Sequence, residues 1–591
     1  MVSISEKLTN LRLLMREEQL DCYFIPSRDE HNNEYVPDCW QRRQWFSGFS
    51  GSAGDLLISQ NEALLWTDSR YFLQAEQQLD ANHFKLMKID GRTPTILDWL
   101  NQKTHLRVGV NPRVISLKQV TDWQKRLALQ KSELIAIEND LVDQIWLNRP
   151  QVPKAMVNIQ LLKLAGESHI SKIEKVRKRL SELKAEAHVV VNLDAIAWVL
   201  NIRGNDIAYN PVVISYLIIT LEKVFYFVDS EKIDDKALSH LERIHILPHD
   251  QFRENLHDLR GKVLLDPGNV SWWVQQQILS NSNSNQAAFK EKIVLGESPI
   301  TRMKAIKNKE EQQGMVEAHE EDAIALIKFF TWLEKNWQNG LDEIEAASQL
   351  EYFRQQSEIS RGLSFATISA FGEHSAIIHY QPKPETSIKI DDSNLYLLDS
   401  GGQYQNGTTD VTRTLHLGSP TALQKKYYTL VLKGHLALRH AVFPEGTCGS
   451  HLDALARQFL WEKGLNYGHG TGHGVGCYLC VHEGPQNIST GFSSVSLQPG
   501  MMISNEPGVY FNQQYGVRIE NVCQVVSHFL NFYTFKDLTL VPYALNLVEL
   551  SLLREQEIEW INEYHQLIDA RLSSRLGIEE KRWLKNATRA L

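Results

Sequence analysis

Basic charge is in short supply in this sequence. The 591 residues include 62 Lys and Arg against 71 Asp and Glu, a formal net charge of −9. A general nucleic-acid binder would usually show a basic excess, so the balance predicts no nucleic-acid partner. Long apolar runs are lacking too. The most apolar stretch, VVISYLIITL (212–221), is far below the roughly 18 residues a transmembrane helix needs, which predicts no membrane partner. The opening MVSISEKLTNLRLLMREEQL has no uninterrupted apolar segment of the secretory kind. Six cysteines in so long a chain do not make a disulfide framework. A reduced, cytoplasmic, enzyme-sized protein is expected. Cys477 and Cys480 form the one CxxC, with no second pair to complete a zinc site. A thiol redox pair is conceivable; two small side chains packed beside a functional site is the plainer reading.

What is present is ordinary globular material, 43% hydrophobic and 23% charged, long enough to favour several domains. Residues 5–19 have helical apolar spacing at Leu8, Leu11, Leu14 and Met15. CYFIP (22–26) reads as a buried strand, and helix and strand alternate to about residue 150, where NRPQVPK (148–154) marks a boundary. A second unit repeats the order: WFSGFSG…LLIS…ALLWTDSR is echoed by WVLNIRG…VVISYLIIT…VFYFVDSE. This predicts two diverged α/β domains of one fold. Near residue 300 a third unit begins. Asn308 and Glu311 fit a capping box, and Met315, Ala318, Ala325, Phe329 and Leu333 share one face of the helix that follows. Residues 549–591 have a helical pattern, with Trp560, Ile561 and Leu567, and nothing there suggests chemistry.

The chemistry is concentrated between residues 394 and 521. NLYLLDSGGQYQNGTTDVTRTLHL (394–417) places Asp399 at the end of an apolar run and Asp410 past a Gly/Asn/Gln-rich turn. GHGTGHGVG (468–476) carries His469 and His473 among five glycines. So many glycines rule out a stable helix and indicate backbone that approaches something closely. His482 follows in VHEGP, Glu506 in ISNEPG and Glu520 in YGVRIEN. Strand alternation puts Arg518 and Glu520 on one face and Val517 and Ile519 on the other. An Arg518–Glu520 surface pair is one reading; a metal-ligating Glu520 with Arg518 supporting it is the other. Several carboxylates with imidazole suit a pair of hard divalent ions such as Mn²⁺, and two ions about 3.5–4 Å apart can activate water and polarise a carbonyl.

The hairpin sets a geometric condition. A two-residue turn at Asn406-Gly407 would set Asp410 against Gln403 and leave Asp399 roughly 13 Å away along the strand. If the two aspartates share a site they should lie nearly opposite each other. The turn should then centre near Tyr404-Gln405, or a bulge at Gly401-Gly402 should shift the register.

Taken in order, LLDSGGQYQNGTTDVTRT, HGTGHGVG, VHEGP, NEPG and VRIEN resemble the signature of the pita-bread metallopeptidases. That superfamily includes methionine aminopeptidase, prolidase and aminopeptidase P. GEHSAIIHYQPKPE (372–385) is similar to the Xaa-Pro aminopeptidase version, and DEHNNEYVPDCWQRRQWFSGFSGSAG (29–54) with WTDSRYFLQAEQQLD (66–80) to the first domain of the long, three-domain form. The resemblance implies an α/β (α+β) protein. Its parts would be creatinase-like domains at 1–150 and 151–300, a pita-bread catalytic domain at 301–530 and a C-terminal helical extension at 531–591. It implies five ligands to two divalent ions, Mn²⁺ first with Zn²⁺ or Co²⁺ possible: Asp399, Asp410, His473, Glu506 and Glu520, with Asp410 and Glu520 bridging. His379 would line the substrate pocket and help stabilise the tetrahedral intermediate. His482 would hydrogen-bond the scissile carbonyl or shuttle a proton, and His469 would contact the proline side. Arg518 would support the ligands. Glu506 or a histidine would protonate the leaving nitrogen. Arg70 is a candidate to reach a bound peptide, against the plainer reading of a surface ion pair. The implied reaction is hydrolysis of the first bond of peptides with proline second, by a homodimer. A prolidase confined to dipeptides is the nearest alternative, and a non-catalytic peptide-binding module a more distant one.

Overall fold

A computed structural model describes residues 2–280 and 291–591 of the chain. By its internal contacts the chain divides into two units. One runs up to Leu162 and resumes over Glu167–Thr301; the other comprises Lys163–Gly166 and Arg302–Leu591.

The first unit contains two six-stranded sheets. The first is built from β1 (Cys22–Ile25), β2 (Asp55–Ser59), β3 (Ala63–Thr67), β4 (Lys85–Lys88), β5 (Arg107–Val110) and β6 (Glu133–Ala136), in the order β4-β3-β2-β1-β5-β6. The second is built from β7 (Ala187–Val190), β8 (Tyr216–Thr220), β9 (Val224–Phe227), β10 (His245–Leu247), β11 (Val263–Leu265) and β12 (Ile293–Leu295), in the order β10-β9-β8-β7-β11-β12. Strand directions match pair for pair. In each sheet the two central pairings β1–β2–β3 and β7–β8–β9 are antiparallel and the rest parallel. The echo between the two halves of the sequence is therefore a repeated fold. The second hairpin is shorter than its apolar run suggests: VVIS contributes no strand before Tyr216.

The second unit opens with the helix Lys309–Asn336. Asn308 Oδ1 accepts the Glu311 N–H, and the Glu311 carboxylate accepts the Asn308 N–H, the reciprocal cap expected there. Met315, Ala318, Ala325, Phe329 and Leu333 are all buried. The helix Glu343–Gln355 follows, then β13 (Ser360–Leu363), β14 (Ile368–Phe371), β15 (Leu395–Ser400), β16 (Gly402–Tyr404), β17 (Gly407–Thr408) and β18 (Val411–His416). These strands form two small sheets, β14-β15-β18 and β13-β16-β17. Two helices, Ala422–Arg439 and Gly449–Trp461, lead to β19 (Gly472–His473), β20 (Asn487–Ile488), β21 (Met502–Asn505), β22 (Gly508–Phe511), β23 (Tyr515–Arg518) and β24 (Asn521–Ser527). One continuous core joins Phe329 and Leu333 of the first helix to Leu395, Leu398, Val431, Leu436, Val517 and Ile519, and on to Ile561 and Ile568 of the helix Glu555–Leu572. In that last helix Ile568 is buried and Leu567 is exposed, one position off the face read from the sequence. Among the described residues no helix is long and apolar enough to cross a membrane.

Candidate metal centre

The site is built on the long hairpin β15 to β18. Asp399 pairs with Thr412 and Ser400 with Val411. Beyond them Gln403 pairs with Thr408 and Tyr404 with Gly407. Both segments keep one register, so the turn is Gln405-Asn406 and Asp410 falls opposite Gly401. The turn is thus not Asn406-Gly407, but the two aspartates are not direct partners either. They are diagonal neighbours on one face, a spacing of about 7–8 Å between backbones in a regular sheet. The hairpin passes from one small sheet to the other at Gly401, without a register shift. A Cβ at Gly401 would lie 2.0 Å from the Thr409 carbonyl and 2.2 Å from Ser364 Oγ. Only glycine lets the strands close up beside Asp410. The carboxylates converge: one oxygen each of Asp399, Asp410 and Glu520 lies within 4.8 Å of the others.

Two further groups share those residues. His473, Glu506 and Glu520 form one, and Asp410, His473 and His482 another, with the same spacing. His473 arrives on β19, where glycines do what their number suggested. A Cβ at Gly472 would lie 2.0 Å from the Ser504 carbonyl, and one at Gly474 would lie 2.0 Å from that of Glu483. The His473 N–H donates to Ser504 Oγ at 2.9 Å, and that hydroxyl donates to Glu506 Oε1 at 3.2 Å. His473 Nδ1 is 2.9 Å from the Gly474 carbonyl, so it carries the ring proton and Nε2 faces the acids. Nε2 is 3.4 Å from Asp410 Oδ2 and 3.5 Å from Glu506 Oε1.

The electrostatics are those of a site that needs cations. Asp399, Asp410 and Glu520 are 7%, 4% and 1% exposed. Burial, opposed by Arg518 and reinforced by Asp410, lifts the Asp399 pKa to about 6. Burial and the neighbouring Asp410, Glu506 and Asp399 carboxylates push Glu520 well above the usual range. Burial also raises Glu506, against the pull of His473. Burial pulls His473 down, but its hydrogen bond to Asp410 and the charge of Glu506 outweigh this and raise it to about 9. Asp399 Oδ1 and Glu520 Oε1 are buried and meet no hydrogen-bond donor among the described residues. Unmet buried acceptors are costly, and like-charged carboxylates in one cavity resist joint ionisation. Divalent cations would remove both costs, and the donor set of carboxylates and imidazole suits them.

The other predicted residues are distributed unevenly. Arg518 Nη2 donates to Asp399 Oδ2 at 2.6 Å and Nη1 to the Tyr510 hydroxyl at 2.7 Å. Its carboxylate partner is Asp399 rather than Glu520. His482 is exposed, with its ring perpendicular to that of His473 at 4.4 Å. His469 is buried; Nε2 lies 2.8 Å from the Tyr510 hydroxyl and Nδ1 3.9 Å from Glu506 Oε2. His379 is half-buried and follows Ile378, whose carbonyl accepts from Arg518 Nη2 at 3.3 Å. Arg70 belongs to the first unit, where its guanidinium is held in a two-pronged pair by Asp68 at 2.8 Å on each prong, the plainer of its two readings. Cys477 is buried against the Asn406 carbonyl at 3.3 Å and Cys480 is partly buried; neither is in a disulfide. The sequence reading missed Thr412, whose hydroxyl donates to Glu520 Oε2 at 2.8 Å and accepts from Arg518 Nε at 3.2 Å. Strand alternation offered a signal, since Thr412 is two residues after Asp410 and shares its face.

A fold of this kind, with acids and an imidazole from later strands and loops gathered around the two aspartates of a bent hairpin, is that of a metal-dependent hydrolytic enzyme. Comparison with known proteins narrows the class. Residues 313–527 match metallopeptidase family M24, residues 7–145 and 148–311 each match the creatinase/prolidase N-terminal domain, and residues 531–591 match the C-terminal region of peptidase M24. The chain belongs to metallopeptidase family M24. It is 42% identical to the probable Xaa-Pro aminopeptidase P of Laccaria bicolor, across 95% of this chain and 90% of that one. To the protein of the same description from Talaromyces marneffei it is again 42% identical, across 100% and 93%. The crystal structure of X-prolyl aminopeptidase from Caenorhabditis elegans, described as a cytosolic enzyme with a di-nuclear active site, matches with a TM-score of 0.95 at 36% identity, each chain covered fully. The expected architecture, two creatinase-like α/β domains before a pita-bread domain, is borne out.

Proposed function

We propose that this chain is a cytoplasmic, homodimeric Xaa-Pro aminopeptidase that removes the first residue from peptides with proline second, using two divalent ions, Mn²⁺ foremost. The four-module division at about 150, 300 and 530 belongs to the same reading. Asp399, Asp410, His473, Glu506 and Glu520 hold the ions. One observation carries this: buried oxygens of Asp399, Asp410 and Glu520 lie within 4.8 Å of one another, and Asp410, Glu520 and His473 link that group to two more of the same spacing.

When bound, the ions supply Lewis acidity and lower the pKa of water towards neutrality. The residues do the rest. Arg518 aims Asp399 through one charge-assisted hydrogen bond. Thr412 holds one oxygen of Glu520 and leaves the other free. Gly474 fixes the His473 tautomer. An Xaa–Pro bond is a tertiary amide without N–H, so the leaving nitrogen must be given a proton. Glu506, whose pKa burial raises, or a histidine such as His482, exposed beside His473, would carry it. His379, which follows the carbonyl that Arg518 holds, would line the substrate pocket, and His469, held by Tyr510, would contact the proline side.

The test is a chain-length series of Xaa-Pro peptides, assayed with and without added Mn²⁺. Release of the first residue from tripeptides and longer peptides is expected. Cleavage of Xaa-Pro dipeptides alone would make the protein a prolidase, and no cleavage at any length would overturn the reading.

A further inference from the structure

Beside the carboxylate cluster a fully buried arginine hydrogen-bonds, among the described residues, to neutral groups alone. Arg413 is 1% exposed. Its Nη1 donates to the carbonyls of Thr412 (2.8 Å) and Glu520 (2.7 Å), and its Nε to that of Pro542 (3.1 Å). Nη2 donates to Asn521 Oδ1 (2.8 Å), the Val541 carbonyl (2.6 Å) and the Tyr564 hydroxyl (3.2 Å). A desolvated guanidinium is expensive unless its N–H groups are met. Here the cost is offset by a shell of dipoles drawn from separate segments of chain. Two of them carry the metal centre: Thr412, whose hydroxyl holds Glu520, and Glu520 itself. Asn521 follows Glu520 directly, and Val541, Pro542 and Tyr564 lie past residue 531. Tyr564, in the helix Glu555–Leu572, accepts from Asn521 Nδ2 at 3.2 Å and from the Val541 N–H at 3.3 Å. Its hydroxyl hydrogen is shared between the Thr539 and Val541 carbonyls, each 3.0 Å away. Its neighbour His565 accepts the Tyr543 N–H at 3.1 Å. The helix Glu555–Leu572, which has no chemistry of its own, thus completes the cage around the backbone of a cluster carboxylate.

We infer that Arg413 and Tyr564 are positioning residues for divalent-cation binding, and that the helix Glu555–Leu572, through Tyr564, is part of the metal-binding unit. This rests on Glu520 being a ligand. Ligands need placement to about 0.5 Å, and the Arg413 fork ties the Glu520 backbone to the strand that follows Asp410. Lysine keeps the charge but cannot span two strands as the planar fork does. Without Tyr564 the cage loses its fixed link to the helix.

The experiment is a competition titration of the full chain with Mn²⁺ against a fluorescent chelator, below the melting onset of each variant, with hydrogen exchange of residues 519–521 alongside. Arg413→Lys and Tyr564→Phe should each raise the half-saturating Mn²⁺ concentration about tenfold, as loss of support around a metal ligand does, and speed exchange at those amides. Leu584→Ala, at a fully buried position in the helix Ile578–Ala587, which supplies none of the Arg413 hydrogen-bond partners named above, should lower the melting temperature and leave Mn²⁺ affinity unchanged. Unchanged affinity in both positioning variants, or an equal loss in Leu584→Ala, would overturn the inference. Wild-type protein that binds no Mn²⁺ would instead sink the ligand assignment, and this inference with it.

Discussion

Glu520→Gln should abolish turnover and at the same time make the metal-free protein more stable. Glutamine keeps the shape of the side chain and an oxygen for the Thr412 hydroxyl, so packing changes little. What it removes is the negative charge that two ions would share. Loss of kcat/KM on the order of 10³-fold or more is expected in the presence of Mn²⁺. The rise in stability follows from the crowding of like charges. Glu520 is held well above its usual pKa by burial and by Asp410, Glu506 and Asp399, so its ionised form opposes folding. Relief of that opposition is worth about 0.5–2 kcal/mol, read as a higher midpoint in chelator-treated protein. A merely structural Glu520 would give the reverse: destabilisation, with activity falling only as far as the folded fraction falls.

Chelation should destabilise the protein, and more so as pH rises. Asp399 titrates near 6 in the fold against about 3.9 in an unfolded chain. Between those values the native state binds more protons than the unfolded state, so metal-free stability falls as pH increases. His473, raised to about 9, continues the trend: its contribution is complete below its unfolded value of about 6.5 and fades as pH climbs through 9. Bound cations cancel both effects. At a hundredfold excess over Kd each ion adds about 2.7 kcal/mol, so two should raise the midpoint by roughly 10 °C at neutral pH. The gap between loaded and chelated protein, followed by calorimetry from pH 5 to pH 8, should widen steadily. A gap that stays constant or narrows would mean that these acids and this histidine are not where the ions bind.

Much of this was legible because the residues concerned obey local rules. The Asn308–Glu311 cap, the alternation that sends Val517 and Ile519 into the core, and the repeated strand order of the two α/β halves all rest on short-range pattern. The hairpin was harder. Its length fixed neither the turn nor the register, and the turn at Gln405-Asn406 left Asp399 and Asp410 diagonal rather than opposed. What brings their carboxylates together is a break between two sheets at Gly401, a tertiary feature that the GG dipeptide only hinted at. Arg518 was expected to support the ligands, but which acid it meets was not legible, because Asp399 lies on a strand more than a hundred residues earlier. Thr412 shares a face with Asp410, but its role and that of Arg413 were hidden for a different reason. Both sit in a strand whose apolar and polar positions look unremarkable, and their roles depend on carbonyls and a carboxylate supplied by distant segments.

The most direct measurement is a metal count on the intact chain, loaded with Mn²⁺, freed of excess ions by gel filtration and analysed by mass spectrometry of the element. The assignment of five ligands around two bridging carboxylates predicts two ions per chain in the wild type, and fewer than one in Asp410→Ala, because removing a bridge disrupts both positions. One ion per chain in the wild type, or two retained by Asp410→Ala, would contradict it.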